Sequence, residues 1–309
     1  MNKKLTAIAL FLLGGCAGHP VTQQQADDWH PNVTAPQFAP GSGPRVLVDA
    51  AHGNFHTIDG RFAPFGELLR ADGYRVASAS QPVTPELLAT ADVFVIANAV
   101  KGGEKAEWVL PTPPAFEPGE VAALAAWVHD GGSLLLIADH MPFPGSVANL
   151  ADAFGVVFLN GYAIKSASEG GTLIFTRAGG LADHPIVHGR NAGEEITALK
   201  CFTGQAFRAV VPVAPLMRMP PGWAVFFPTA AGEFTSTTPT ESARGLLQGA
   251  VLHHGQGRVA VFGEAAMFSA QTAVNGDQVM RMGMNDPEAP QNAQFVLNVL
   301  HWLSGLLPD

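Results

Sequence analysis

Asp49, His52, Asn54 and His56 fall within one short stretch, Asp49-Ala-Ala-His52-Gly-Asn54-Phe-His56-Thr57, and Asn98, the pair Asp139-His140 and Glu264 follow later. Carboxylates and imidazoles together can pass protons near neutral pH, and the same groups can ligate a divalent cation. Asp49, His52, Asp139, His140 and Glu264 are therefore candidate catalytic residues. His52, His56, Asp139 and His140 are candidate metal ligands, and zinc is the divalent metal such a nitrogen and oxygen set would suit best. Asn54 and Asn98 are candidates for orienting a bound molecule through their amides. Each residue also has a plainer reading. Asp49 and Asn98 could cap loops through backbone N–H groups, His52 and His56 could be satisfied loop histidines, and Asp139 could serve only to orient its neighbour.

The case for function rests on the elements that carry these residues. Arg45-Val-Leu-Val-Asp49, Asp92-Val-Phe-Val-Ile-Ala-Asn98, Ser133-Leu-Leu-Leu-Ile-Ala-Asp139 and Arg258-Val-Ala-Val-Phe-Gly263 are apolar runs. They read as strands buried on both faces, the signature of a parallel sheet. Residues 61–72 place Phe62, Phe65, Leu68 and Leu69 at helical spacing before Gly73, and Thr84-Pro85 can open a short helix. Further helices are expected over 118–129, 146–154, 244–254 and 291–307. The alternation predicts an α/β fold with a doubly wound, mainly parallel sheet. Short β-like runs at 156–159, 171–175 and 224–227 predict a β-rich insertion that extends the same sheet. Ligands in open α/β sheets bind outside the carboxyl ends of the strands, so four strands would deliver the candidates to one edge.

Composition narrows the function. The chain has 309 residues, 47% of them hydrophobic and 14% charged, which excludes a disordered chain. The formal charge of −9 and the lack of any Lys/Arg cluster argue against nucleic acid, whose recognition needs a basic footprint. Lys3 and Lys4 precede the apolar run Leu5 to Leu13, which is shorter than the ~20 residues of a membrane span. This reads as a signal peptide over 1–15. Leu13-Gly14-Gly15-Cys16 resembles a bacterial lipobox, with Cys16 the lipidated residue. Residues 16–43, rich in Pro, Gln and Gly, then form a tether, and 44–309 a single α/β domain. The membrane would be met only through that lipid, on the periplasmic side of the inner or outer membrane of a bacterial envelope.

Other patterns carry less. His52 and His56 have the spacing of H-E-x-x-H, but Gly53 stands in the Glu position. His184 and His188 share that spacing across Pro185, which favours a turn. His253-His254 would close the 244–254 helix near its negative pole. Cys201, beside Phe202, reads as a buried small hydrophobe. No G-x-S-x-G, P-loop or dinucleotide fingerprint is present.

Taken together, Asp49–Thr57, Trp127-Val-His-Asp-Gly-Gly-Ser-Leu-Leu-Leu-Ile-Ala-Asp139, Asp183-His-Pro-Ile, Gly263-Glu-Ala-Ala-Met-Phe268 and the 292–303 helix resemble the class I glutamine amidotransferase-like superfamily. Within it they resemble the branches near the ThuA-like and gliding/intraflagellar-transport (GIFT) domains. The resemblance implies a flavodoxin-like sheet and a pocket at its carboxyl edge. It does not carry glutaminase chemistry, because the turn after the central strand is Asp139-His140-Met141 and lacks the nucleophilic Cys. The resulting expectation is a lipid-anchored hydrolase acting on a small polar or carbohydrate-like molecule. The alternatives are a non-catalytic ligand-binding lipoprotein and a structural envelope or transport-associated component.

Overall fold

The computed structural model describes residues 22–26, 28–166, 171–275 and 278–309. The signal peptide and Cys16 lie outside the described residues. The chain is an α/β fold built on a large mixed sheet. Five neighbouring strands are parallel: β1 (Arg45–Asp49), β2 (Arg75–Ala79), β3 (Val93–Ala97), β4 (Ser133–Ile137) and β5 (Gly257–Phe262). Across the sheet they run β2-β1-β3-β4-β5. Leu247–His254 then pairs antiparallel with β5 and continues the sheet toward Phe207–Ala209 and Val156–Phe158.

The apolar runs form central strands because both of their faces are covered. Val46, Val48, Val95, Leu135 and Ile137 pack on one side with α1 (Ala63–Ala71) and α3 (Asn292–Leu303). Leu47, Phe94, Ile96, Leu134 and Leu136 face the other side, against Leu124 and Val128 of α2 (Pro118–His129). Each such side chain contributes about 1.5–3 kcal/mol by leaving water. α2 begins with Pro118 in its first turn, and a reciprocal capping box joins Glu117 and Glu120.

Several expectations are corrected. Residues 244–254 are not helical. Leu247–His254 is a strand, joined to β5 by the two-residue turn Gly255-Gln256, with Gly255 at a φ of 62°. The hairpin wins because the turn chemistry and a buried pairing partner outweigh an apolar run of ambiguous period. His253 and His254 therefore sit on a strand, not at a helix end. The expected helix over 146–154 is divided into Phe143–Ser146 and Ala148–Ala153. Of the expected β runs, only Val156–Phe158 joins the main sheet; Leu173–Thr176 and Ala224–Phe226 build small sheets of their own. Pro185 opens a one-turn helix, Pro185–His188, whose first turn is capped by His184 accepting the Ile186 N–H. The tether is not free over its whole length. Thr22–Gln25 pairs antiparallel with Ala270–Asn275, and Ala26 is buried.

Candidate functional site

The four strand ends do converge. Asp49 ends β1, and Asn98, Asp139 and Glu264 follow β3, β4 and β5; these strands are parallel neighbours, and all four residues are buried. The site divides into a staple on one side and a polar chain in the middle.

The staple is His52. Its Nδ1 lies 2.9 Å from both carboxylate oxygens of Asp49, and its Nε2 lies 3.0 Å from Glu120 Oε1. The ring stacks on Phe116 at 3.9 Å between centroids. Burial opposes its charge, but the hydrogen bonds and charges of Asp49 and then Glu120 outweigh it and raise the pKa. Both ring nitrogens are thus engaged, and Asp49 also accepts the Ala51 N–H. His52 and Asp49 hold the loop after β1 to α2. Gly53, at a φ of 64°, makes this possible, since a Cβ there would meet Val100 O at 2.4 Å. Asn54 accepts the His52 N–H and so belongs to the loop's own turn.

The polar chain starts at Asn98, a non-glycine residue in the left-handed region with a φ of 50°. Its Oδ1 accepts the Asp139 N–H at 2.8 Å, which turns its Nδ2 toward His56 Nδ1 at 3.1 Å. His56 Nδ1 must accept there, so the neutral ring carries its proton on Nε2. Burial, then the charges of Arg61 and His140, holds the His56 pKa well below the ordinary value. Asp139 Oδ1 accepts from the His140 N–H and the Thr203 hydroxyl, and Oδ2 accepts from the Ala265 N–H. Glu264 accepts three backbone N–H groups, from Phe202, Ala266 and Met267. Burial and then the charge of Asp139 push its carboxyl up, against those three donors. Both carboxylates therefore hold loops together as well as facing the site.

His140 differs from the other candidates in having a free nitrogen. Its Nδ1 donates to the Met141 carbonyl at 2.8 Å, and Nε2 has no partner among the described residues. In the neutral ring Nε2 is then an unprotonated acceptor. The ring is half-buried and stacks on Tyr162 at 4.5 Å, with Trp108 at 6.3 Å. Burial, then Asp139, raises the Tyr162 phenol. Two imidazoles of opposite tautomer thus belong to one site: His140 presents a base and His56 an N–H donor.

The expected metal set is not gathered. Among the described residues no group of three His, Cys, Asp or Glu side chains is placed to hold a metal ion. His52 has no free nitrogen, and Asp139 is engaged by N–H and O–H donors. The donor set therefore does not fit zinc or another divalent metal. Cys201 lies beneath the site, fully buried, with its Sγ 3.7 Å from Met267 Sδ. Burial, then Glu264 and Asp139, pushes its thiol well up, as suits an inert core cysteine rather than a nucleophile.

Glu120, Trp108, Tyr162 and Thr203 were not legible as site residues. Glu120 carried a signal, since E-x-x-E around Pro118 is a capping-box pattern. Trp108, Tyr162 and Thr203 lie in irregular or β-rich segments and gave none. Gln271 and Asn285, both buried, also belong to the site's floor. Gln271 Nε2 lies 3.5 Å from His56 Nε2, and Asn285 donates to the Gln271 carbonyl.

No family model matches the chain, and no curated protein matches it. Solved structures do. The N-terminal domain of mmIFT52 aligns with a TM-score of 0.57 at 16% identity, covering 84% of this chain and 97% of that domain. A cytoplasmic protein from Salmonella typhimurium LT2 aligns at 0.49, with 16% identity over 84% of this chain and 98% of that one. A ThuA-like protein from Bacteroides uniformis aligns at 0.46, with 10% identity over 88% and 94%. At these identities what is shared is the fold, and that statement rests on the mmIFT52 domain.

Proposed function

We propose that the carboxyl edge of the sheet is the active site of a hydrolase acting on a small polar or carbohydrate-like molecule. The observation that carries this reading is His140, whose Nδ1 is tied to the Met141 carbonyl and whose Nε2 is left as a free base. Water bound at Nε2 would give up a proton to His140 as its oxygen bonds to the substrate's electrophilic carbon; the bond from that carbon to the leaving oxygen breaks, and the imidazolium, stabilised by the neighbouring Asp139 carboxylate, returns the proton to that leaving oxygen. The half-buried Trp108 ring beside His140 suits the apolar face of a sugar, while the buried Tyr162 backs the imidazole. No step is routed through a metal, because the donor set does not fit one.

In the same reading the fold is flavodoxin-like and doubly wound, of the glutamine amidotransferase-like kind without its Cys. The strand order β2-β1-β3-β4-β5 and the helices on both faces support that. The protein is held in the bacterial envelope, on the periplasmic side, by a lipid on Cys16. Incorporation of labelled fatty acid into wild type but not Cys16→Ser tests the anchor, and equal label in both would refute it. Screening wild type and His140→Ala against panels of glycosides and small esters tests the activity. Turnover of a substrate by wild type and its loss in the variant is the expected result; equal turnover in both would sink the role of His140.

A second reading is a binding module without turnover. It is favoured by the donors that engage Asp139 and Glu264, which leave His140 as the one free base among the candidates. Saturable binding of panel compounds without products would select it. A structural envelope or transport-associated role rests on the fold shared with the mmIFT52 domain; retained envelope function in His140→Ala would favour it.

A further inference from the structure

Among the described residues Arg61 forms no ion pair with a carboxylate. Its guanidinium lies over the Phe55 ring, 3.8 Å from the centroid. Its two hydrogen bonds are long, 3.5 Å to the Phe55 carbonyl and 3.4 Å to the Gln23 carbonyl. Its Nε is buried and has no partner. Among the described residues no carboxylate lies within ion-pair distance of it. Burial lowers its pKa to about 10, and the charge of the exposed Glu104 acts in the opposite direction. A guanidinium taken out of water normally finds a carboxylate or a full set of acceptors. Two of its five N–H groups make those long hydrogen bonds, and the other three have no partner among the described residues.

Its neighbours point the same way. Arg61 is close enough to His56 for its charge to depress that imidazole, and Phe55, which it covers, also packs against Trp108 and Phe143. The His56 Nε2–H is a second donor. Gln271 Nε2 lies 3.5 Å from that nitrogen, so as placed two donors face each other, while Gln271 Oε1 is buried without a partner. Gln271 Nε2 also donates to Ser269 Oγ at 2.6 Å, so turning the amide would pair His56 but break that bond and leave the NH2 unpaired. Either way the floor beside His56 keeps an unmet polar group, and Asn285 Oδ1 is another.

We propose that the ligand of this site carries a carboxylate, held by Arg61 and the His56 Nε2–H. This rests on the small-molecule reading above and narrows its substrate class to acidic molecules such as uronates. A carboxylate matches the planar fork of a guanidinium, and Lys could not replace that geometry.

The test is the 15Nε–1H resonance of Arg61 in the full purified chain, assigned by its loss in Arg61→Lys. Glucuronate, glucose, acetate and sulfate serve as probes. The expected result is a saturable shift with glucuronate, a weaker saturable one with acetate, and none with glucose. Glucuronate binding followed calorimetrically should weaken at least ~10-fold in Arg61→Lys, a cost of ~1.4 kcal/mol, and further in Arg61→Gln. No saturable shift with either carboxylate, saturation by sulfate alone, or undiminished binding in Arg61→Gln would overturn the proposal. Its failure is separable from failure of the hydrolase reading. A neutral substrate turned over through His140 while Arg61 stays silent overturns only the carboxylate assignment. Carboxylate binding at Arg61 with no turnover in the panel overturns only the hydrolase.

Discussion

His52 and Glu120 stand 68 residues apart in sequence and meet at 3.0 Å. The same Glu120 oxygen accepts the Val83 N–H, and the other closes the capping box on the Glu117 N–H. One carboxylate thus joins the loop after β1, the segment after β2 and the start of α2. Removing it leaves a buried imidazole with one partner and only the Glu117 half of the capping box. Glu120→Ala should cost ~3–5 kcal/mol, by the rule for breaking a buried pair with half of that box lost as well. Urea unfolding monitored by tryptophan fluorescence reads it, and a loss under ~1 kcal/mol would show that the staple is idle.

The pH dependence of that staple has a definite sign. The folded pKa of His52 is raised above its ordinary value of 6.5. Its stabilising contribution is therefore complete below ~6.5 and is lost as pH rises through the folded value. Glu120 is lowered below 4.5, so its share is present above that value and lost as pH falls through the depressed one. The stability gap between wild type and His52→Gln should shrink as pH is raised above ~6.5. A gap that widens over that range would contradict the assignment.

Asp139→Asn and His140→Ala should behave differently. In Asp139→Asn one acceptor oxygen becomes an NH2 that faces a backbone N–H, so ~1–3 kcal/mol of stability should be lost together with any activity. His140→Ala removes a half-buried ring with one local hydrogen bond. Its Tm should change little, while turnover falls ~10²–10⁴-fold if His140 is the base. Thermal melts and rate measurements on the same samples separate the two. A His140→Ala melt as low as that of Asp139→Asn would make His140 a structural residue.

Cys201 should be silent in the folded protein. With Cys16→Ser removing the other thiol, a thiol reagent should label nothing in native buffer and one site in denaturant. Its burial and raised pKa both suppress the thiolate. Stoichiometric labelling of the native protein would place this thiol within reach of solvent.

His254→Ala is the control. The ring is edge-on to Phe154 at 5.1 Å and lies on the hairpin strand that precedes β5, which puts its contacts outside the polar chain. A stability cost of no more than ~1 kcal/mol and unchanged turnover are expected.

The sequence was most legible where one strand end hands a residue to the next. Asp49, Asn98, Asp139 and Glu264 follow uninterrupted apolar runs, and such runs fix strand direction and therefore the edge at which their last residues emerge. His56 came with them because it lies in the loop after β1. What that pattern could not supply was occupancy. Nothing in Asp49-Ala-Ala-His52 says that a carboxylate from α2 will engage the second nitrogen of His52, so His52 read as a catalytic or ligating residue, whereas both of its nitrogens are engaged by carboxylates. Tyr162, Thr203 and Trp108 reach the site from segments whose period matches neither helix nor strand. The strand Leu247–His254 was lost for a related reason. Leu-Gln-Gly-Ala-Val-Leu suits either period, and only the Gly255-Gln256 turn and the facing β5 decide it.

The pairing of Thr22–Gln25 with Ala270–Asn275 bears on where the protein would work. With Cys16 lipidated as proposed, only the few residues up to Thr22 separate the acyl chains from the folded body. At ~3.4 Å per residue that leash spans about 20 Å at most. A tether free to residue 43 would allow several times that distance. The domain would then lie at the headgroup surface and meet only molecules that come to the bilayer, including those released there by other membrane-bound proteins.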